Sequence, residues 1–420
     1  MMARLGLKER IHVTPKLIMS VVISLITFFT VVCLPNDISS LQYIGYALIL
    51  CSALFFFRYR KNSNLALFIG IIIAINICLA LSVCLNPFGT AFNWQVQLVD
   101  SFANITNAKN YLLFVNVLCL AVGEVKAEKS VVEIRKNSVL ATLLFVGLVF
   151  ILIFGFDRGE IGTYTSNANA LYEYALVAFI FAWKYSPNRY FRLALIFYAM
   201  LYIGQGLVFG DRSSAFPMIL LLFMLIYRKK VKTFMVLLLG LGGIFIANVV
   251  DVFRNAHGEI SFDILGRAAS RGLFVNTISY AFYGGTQVIN LALNSANHLT
   301  HFFNYAASLV LGGSNQYSLT VMANANKFVN KGGGMSHAYF YYWGGFIATV
   351  LFAILMGRII NKIFNSRSEL CAILRVTVTI FLIRWMLYYP VAFFRSALLI
   401  PVAAFVVLSF IDGRMRRLRR

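Results

Sequence analysis

Several arginines in this chain stand in apolar surroundings where a guanidinium is costly. Arg384 and Arg395 flank the turn Tyr388-Tyr389-Pro390 between two consecutive apolar runs, and Arg212 opens another run after Gly210-Asp211. A charge inside a bilayer costs at least a few kcal/mol, so one that is retained carries a functional expectation. Arg384 and Arg395 should share a depth near the outer ends of their runs, and with Arg212 they are expected to meet one water-facing cavity. The competing reading has each snorkel to the interface or pair with Glu173 or Asp211. Arg375 sits nearer the other end of its run, where a structural role is expected. Arg267 and Arg271 are spaced i, i+4 and share a helix face, and Arg254 precedes them. A guanidinium binds phosphate oxygens bidentately and stays charged, so paired arginines suit a diphosphate. Salt bridges to Asp251, Glu259 and Asp263 are the alternative.

His337 follows Gly332-Gly333-Gly334-Met335-Ser336 and precedes an aromatic stretch that ends in Trp343-Gly344-Gly345. An imidazole beside a flexible hinge can remove a proton from a sugar hydroxyl near neutral pH. A purely interfacial hydrogen-bonding role is the other reading, and Asp211, Glu259, Asp263, His257, His298 and His301 compete as bases. The chain shows no Walker A loop, no H-E-x-x-H, no G-x-S-x-G and no D-x-D. Its six cysteines lack metal-ligand spacing and read as small apolar residues. No metal or cofactor is expected.

The elements that must position these groups are membrane helices. Of 420 residues 60% are hydrophobic and 12% charged, which excludes a soluble globular protein. A hydrocarbon layer of roughly 30 Å needs about 20 apolar residues per helix, and such stretches recur from Lys16 to Ile411. Continuously apolar runs such as 138–156 and 233–250 argue against a transmembrane barrel. The expected spans are 17–34, 40–57, 65–85, 108–125, 138–156, 168–184, 192–209, 214–228, 233–250, 338–357, 370–388 and 392–411. The first, of full span length with no cleavage site, is expected to be retained. The fold class is therefore an all-α polytopic bundle of about 12 transmembrane helices with one large periplasmic loop.

Net charge of +22 would point to nucleic acid in a soluble chain, but its distribution says otherwise. Placing both termini inside puts 26 of the 37 Lys and Arg on the cytoplasmic side against six carboxylates, whereas the outer side holds eight of each sign. That alternation is the positive-inside pattern, so no nucleic-acid partner is expected. The chain divides into spans one to nine over 1–250, an outer loop over 251–337, and three final spans with a basic tail over 338–420. A loop that long is functional or disordered, and its aliphatic and aromatic content argues for order packed on the bundle. Ile264 to Tyr283 reads as one amphipathic helix, Phe302 to Leu311 as another, and the glycines at 332–334 as a flexible return. No internal repeat or transporter-like symmetry is visible.

In outline the chain resembles the Wzy-type O-antigen polymerases, which join oligosaccharide repeat units at the inner membrane of Gram-negative bacteria. Length, span number, cytoplasmic ends and the large loop in the second half carry the likeness. Gly210-Asp211-Arg212-Ser213-Ser214-Ala215 is similar to that family's glycine-x-arginine-small turn, and Gly332-Gly333-Gly334-Met335-Ser336 to the Gly-rich passage after its large loop. The resemblance implies metal-independent glycosyl transfer at the periplasmic face: a glycan on undecaprenyl diphosphate moves onto the terminal sugar of a new lipid-linked unit. Arginines would stabilise the diphosphate leaving group. Arg212, Arg254, Arg267, Arg271, Arg384 and Arg395 would then clamp diphosphate, with His337 or Asp211 as base and Tyr339, Tyr342, Trp343 and Tyr388 lining sugar subsites. Implied partners are undecaprenyl-diphosphate-linked glycans, the lipid bilayer and a Wzz-type chain-length regulator. The alternatives are an O-antigen ligase or a flippase or other secondary transporter. The implied location is the bacterial inner membrane, multi-pass, with both termini cytoplasmic.

Overall fold

The computed structural model describes residues 14–60, 65–85, 101–125, 132–157, 159, 167–168, 170–209, 212–227, 233–255, 263–271, 277–324 and 333–418. The helices are α1 (Pro15–Phe28), α2 (Ser40–Tyr59), α3 (Ala66–Leu79), α4 (Ser101–Val122), α5 (Ser138–Phe154), α6 (Ala170–Lys184), α7 (Arg189–Val208), α8 (Arg212–Ile226) and α9 (Thr233–Asn255). They continue as α10 (Asp263–Arg271), α11 (Thr277–Asn294), α12 (His298–Leu311), α13 (Leu319–Asn324), α14 (Ser336–Asn365), α15 (Glu369–Ile380), α16 (Leu382–Leu387) and α17 (Ile400–Leu418). One two-residue ladder, β1 (Phe156–Asp157) with β2 (Asn167–Ala168), is the only sheet among the described residues. Each of the twelve expected ranges overlaps helix among the described residues. Seven described helices are long and apolar enough to cross a membrane, so the chain is a membrane-embedded helical protein. Local signals set the starts. Thr14 caps α1 ahead of Pro15, and Asn137, Asn188 and Ser368 accept from backbone N–H groups of α5, α7 and α15.

Polar contacts sort the helix termini into two groups. At the basic end Lys16 pairs with Glu124 at 2.9 Å, Glu369 binds both Arg135 (2.8 Å) and Lys184 (2.9 Å), and Asn137 donates to Asp412 at 2.7 Å. Asn365 donates to the Glu124 carbonyl, and Arg375 to the Ser366 carbonyl at the end of α14, a favourable place for a cation. The start of α1, the ends of α4, α6 and α14, the starts of α5 and α15 and the end of α17 thus lie together. That grouping follows the alternation of Lys and Arg along the sequence. At the opposite end Lys109 of α4 donates to the Leu34 carbonyl at 2.5 Å and to Asn36 Oδ1 at 2.8 Å, pinning the far end of the first span.

The last 90 residues depart from the simple picture. Gly344 and Gly345 are non-helical, Gly345 with φ +64°, and the chain turns back on itself there. Phe340 stacks on Phe352 with centroids 4.5 Å apart, although twelve residues of straight helix would separate them by about 18 Å. The expected span 338–357 is therefore corrected: 336–343 is a half-helix folded against the first turns of 346–365, which is of span length by itself. Of the glycines at 332–334, expected as a flexible return, Gly332 lies outside the described residues, and Gly333 and Gly334 are held with Met335 by backbone contacts. Gly334 N–H donates to Tyr388 O at 3.0 Å and Met335 N–H to Leu387 O at 3.1 Å. The next span is interrupted at Phe381, between α15 and α16. Ahead of α17 the segment Ala392–Leu399 is π-helical. Pro401 supplies no N–H to the Ala397 carbonyl, and the Thr377 hydroxyl donates to it instead at 2.6 Å.

The segment expected as one helix over 264–283 contains two, α10 and α11. The former packs on α9 through Val249, Val252, Phe253 and Ile264. Nearly all of α11 from Ile278 to Ile289 is buried, which draws this segment onto the bundle.

Candidate functional site

Arg384 and Arg395 reach consecutive residues of one helical turn. Arg384 Nη2 donates to Glu173 Oε1 and, at 3.3 Å, to the Tyr389 hydroxyl, and the Arg395 guanidinium lies over the Tyr174 ring at 5.8 Å. The Tyr174 hydroxyl is within electrostatic reach of Arg395, Glu173, Tyr389 and Arg384, which makes the five a single cluster. Among the described residues the cluster holds two cations and one carboxylate, with side-chain exposures of 11% for Arg384 and 18% for Glu173. The interruption at Phe381 and the π-helix are the local departures that carry the two arginines there.

Depth follows from α6. Its 15 residues rise about 22 Å, less than the roughly 30 Å layer. Glu173 stands eleven residues before Lys184, or about 16 Å along the axis from the Glu369 clasp. The pair therefore stands about 16 Å in from the basic end, over half the roughly 30 Å thickness of a hydrocarbon layer. Irregular backbone at that depth is tolerated where it is packed in protein or faces a wet cavity.

Most of the other charged candidates lie wholly or by their side chains outside the described residues. Asp211 lies outside the described residues. Arg212 starts α8, Arg254 lies in α9 and Arg271 ends α10, and the side chains of all three lie outside the described set. Arg267 pairs with Asp263 at 3.0 Å on the exposed face of α10, the salt bridge weighed above.

His337 sits in the half-helix and is fully buried. Asn107 of α4 donates to Phe282 O and Thr286 Oγ1, which orients its amide so that Oδ1 accepts from His337 Nε2 at 2.8 Å. Tyr111 and Phe114 cover the ring, and Asn110 donates to the His337 carbonyl at 2.8 Å. This histidine joins α4, α11 and α14; the geometry shown is that of a packing residue.

Tyr339 and Tyr342 are buried as well, and Trp343 partly so. Trp343 Nε1 donates to His301 Nδ1 at 3.0 Å, which requires that nitrogen unprotonated, and His301 Nε2 then donates to Tyr317 O at 3.0 Å. Burial holds the His301 imidazole below the usual histidine range. Tyr305 packs between His301, Tyr339 and Trp343 and accepts from Val391 N–H at 3.1 Å, one residue from the π-helix that carries Arg395. These rings face one another, so in this structure they form a clasp for α12 and not an open platform. Tyr388 is half-buried against Tyr389. No protein-family model, curated protein or solved structure matches the chain.

Proposed function

We propose that this protein is a membrane glycosyltransferase that polymerises undecaprenyl-diphosphate-linked repeat units into O-antigen polysaccharide at the periplasmic face. The proposal includes about twelve crossings of the bacterial inner membrane, both termini in the cytoplasm, the segment after residue 250 outside, and a Wzz-type chain-length regulator as partner. The observation that carries it is the meeting of Arg384 and Arg395, from separate helices, at Glu173 and Tyr174 within the bundle. Two retained guanidiniums need a matching anion, and a lipid diphosphate approaching from the bilayer supplies one. They would stabilise charge developing on the leaving diphosphate as fixed donors do. Arg212, Arg254 and Arg271 remain candidates for the second diphosphate.

The lipopolysaccharide ladder of a strain lacking the protein tests this. Polymerase loss leaves single repeat units attached to the lipid A core. Unattached polymer would indicate a ligase, and absence of repeat units from the outer face a flippase. In the complemented strain R384K and R395K keep charge but lose the planar fork, and each is expected to shorten the ladder. An unchanged ladder removes that residue from the clamp.

A further inference from the structure

Glu173 is the carboxylate that the described residues place on Arg384, one residue before the Tyr174 ring that underlies Arg395. We propose that Glu173 accepts the proton of the attacking hydroxyl, and that the donor diphosphate frees it for this task by drawing Arg384 away. This rests on the glycosyltransferase reading above. In the arrangement seen, Arg384 Nη2 engages Glu173 Oε1. A carboxylate held by a guanidinium is a poor proton acceptor and becomes a better one on release. A diphosphate carries more charge than one carboxylate and presents several oxygens to the fork, so it competes for Arg384, with Arg395 a second cation on the next residue.

The chemistry balances without a co-reactant. The acceptor hydroxyl passes its proton to the Glu173 carboxylate, and its oxygen forms the new bond to C1 of the donor sugar. The bond from C1 to the diphosphate oxygen breaks with its electron pair, and undecaprenyl diphosphate leaves as an anion against Arg384 and Arg395. Glu173 then returns its proton to water and recaptures Arg384. The base is free only while donor is bound, which limits transfer to bound water at other times. His337 fits this role less well, because Asn107, Tyr111 and Phe114 enclose its ring.

The test uses the full chain in lipid nanodiscs, with farnesyl diphosphate as binding probe, farnesyl monophosphate as its control, and lipid-linked repeat units extracted from a polymerase-deficient strain as substrate. E173Q is expected to bind farnesyl diphosphate at least as tightly as wild type while turnover falls about 100-fold or more. E173D should recover part of that turnover. Turnover of E173Q within about threefold of wild type overturns the proposal, as does a parallel loss of binding and turnover, the mark of a structural role. Should E173Q not fold, E173Q/R384Q removes both charges together. That variant must turn over more slowly than R384Q, and equal rates overturn the proposal. Wild-type protein that neither binds the diphosphate nor extends the substrate defeats the underlying reading before any variant is made.

Discussion

Gly333 offers the sharpest test of how the half-helix is tied to the arginine cluster. A Cβ at this position would fall against Tyr388 Cα and the Leu387 carbonyl oxygen, both backbone atoms that no rotamer change can move. Relief in Gly333→Ala requires separating Gly333–Met335 from Leu387–Tyr388, with loss of the Gly334 N–H to Tyr388 O bond (3.0 Å) and the Met335 N–H to Leu387 O bond (3.1 Å). Each costs roughly 1–3 kcal/mol when its groups stay dry. Overpacking adds roughly 1–3 kcal/mol, giving a destabilisation of about 3–9 kcal/mol. Gly242→Ala is the control. Nothing lies within 4 Å of its added methyl, and a helix interior gains up to about 1 kcal/mol from the change. Unfolding by SDS in mixed micelles, followed by tryptophan fluorescence, measures both. Ser336 Oγ donates to the Trp385 carbonyl, so separation also disturbs the residue after Arg384, and G333A should weaken farnesyl diphosphate binding. A G333A protein within about 0.5 kcal/mol of wild type would refute the pairing and the coupling inferred from it.

Three further outcomes follow. His301 has its pKa lowered by burial, so the unfolded chain binds more protons as pH falls below about 6.5, and stability drops by up to about 1.4 kcal/mol per pH unit until the lowered folded value is reached. Of its neighbours, His298 opposes protonation further, and burial pushes the Tyr305 hydroxyl well above its usual range. His301→Phe should flatten that slope between pH 7.5 and 5.5, and a slope equal to wild type would assign it elsewhere. At the basic end the two halves of one ion pair should differ. Lys184→Met leaves Glu369 paired with Arg135 and should cost under about 2 kcal/mol, whereas Glu369→Gln strands a fully buried ammonium and should cost about 3–5 kcal/mol in the same SDS titration. Finally, single cysteines at exposed Leu299 and Arg367, in a protein cleared of its six native ones, should react with an impermeant maleimide from opposite sides of spheroplasts and inverted vesicles. Labelling from the same side would refute the topology.

Much of the fold was legible because hydropathy and charge are local properties. Runs of apolar residues located the helices, and Lys and Arg at their ends indicated which termini belong together, a grouping that Glu124, Glu369 and Asp412 then realise in contacts. Direction within an apolar run is not local in that sense. Residues 338–357 are apolar whether they run straight or reverse, and the signal of the reversal was the adjacent pair Gly344-Gly345, one of which takes a positive φ. His337 shows the same limit. Its place beside a glycine-rich turn suited a reactive base, but its surroundings are set by Asn107, 230 residues away on α4.

The arginine cluster shows why charge in a span can be flagged by type yet not interpreted alone. Arg384 and Glu173 are each costly inside a bilayer, and each by itself reads as a site or as a snorkelling side chain. Together they nearly cancel, and a cancelled pair carries no functional signal unless something nearby remains uncancelled. Among the described residues Arg395 over Tyr174 is that remainder, a second cation one residue along from the carboxylate that Arg384 holds. The pairing with Glu173 was thus foreseeable as an alternative to a site. Geometry makes the two readings compatible, since a counter-ion that can be exchanged for a stronger anion stabilises the empty protein and yields to substrate. A purely structural pair would show no such exchange: prenyl diphosphate would bind wild type no more tightly than a variant lacking Arg395.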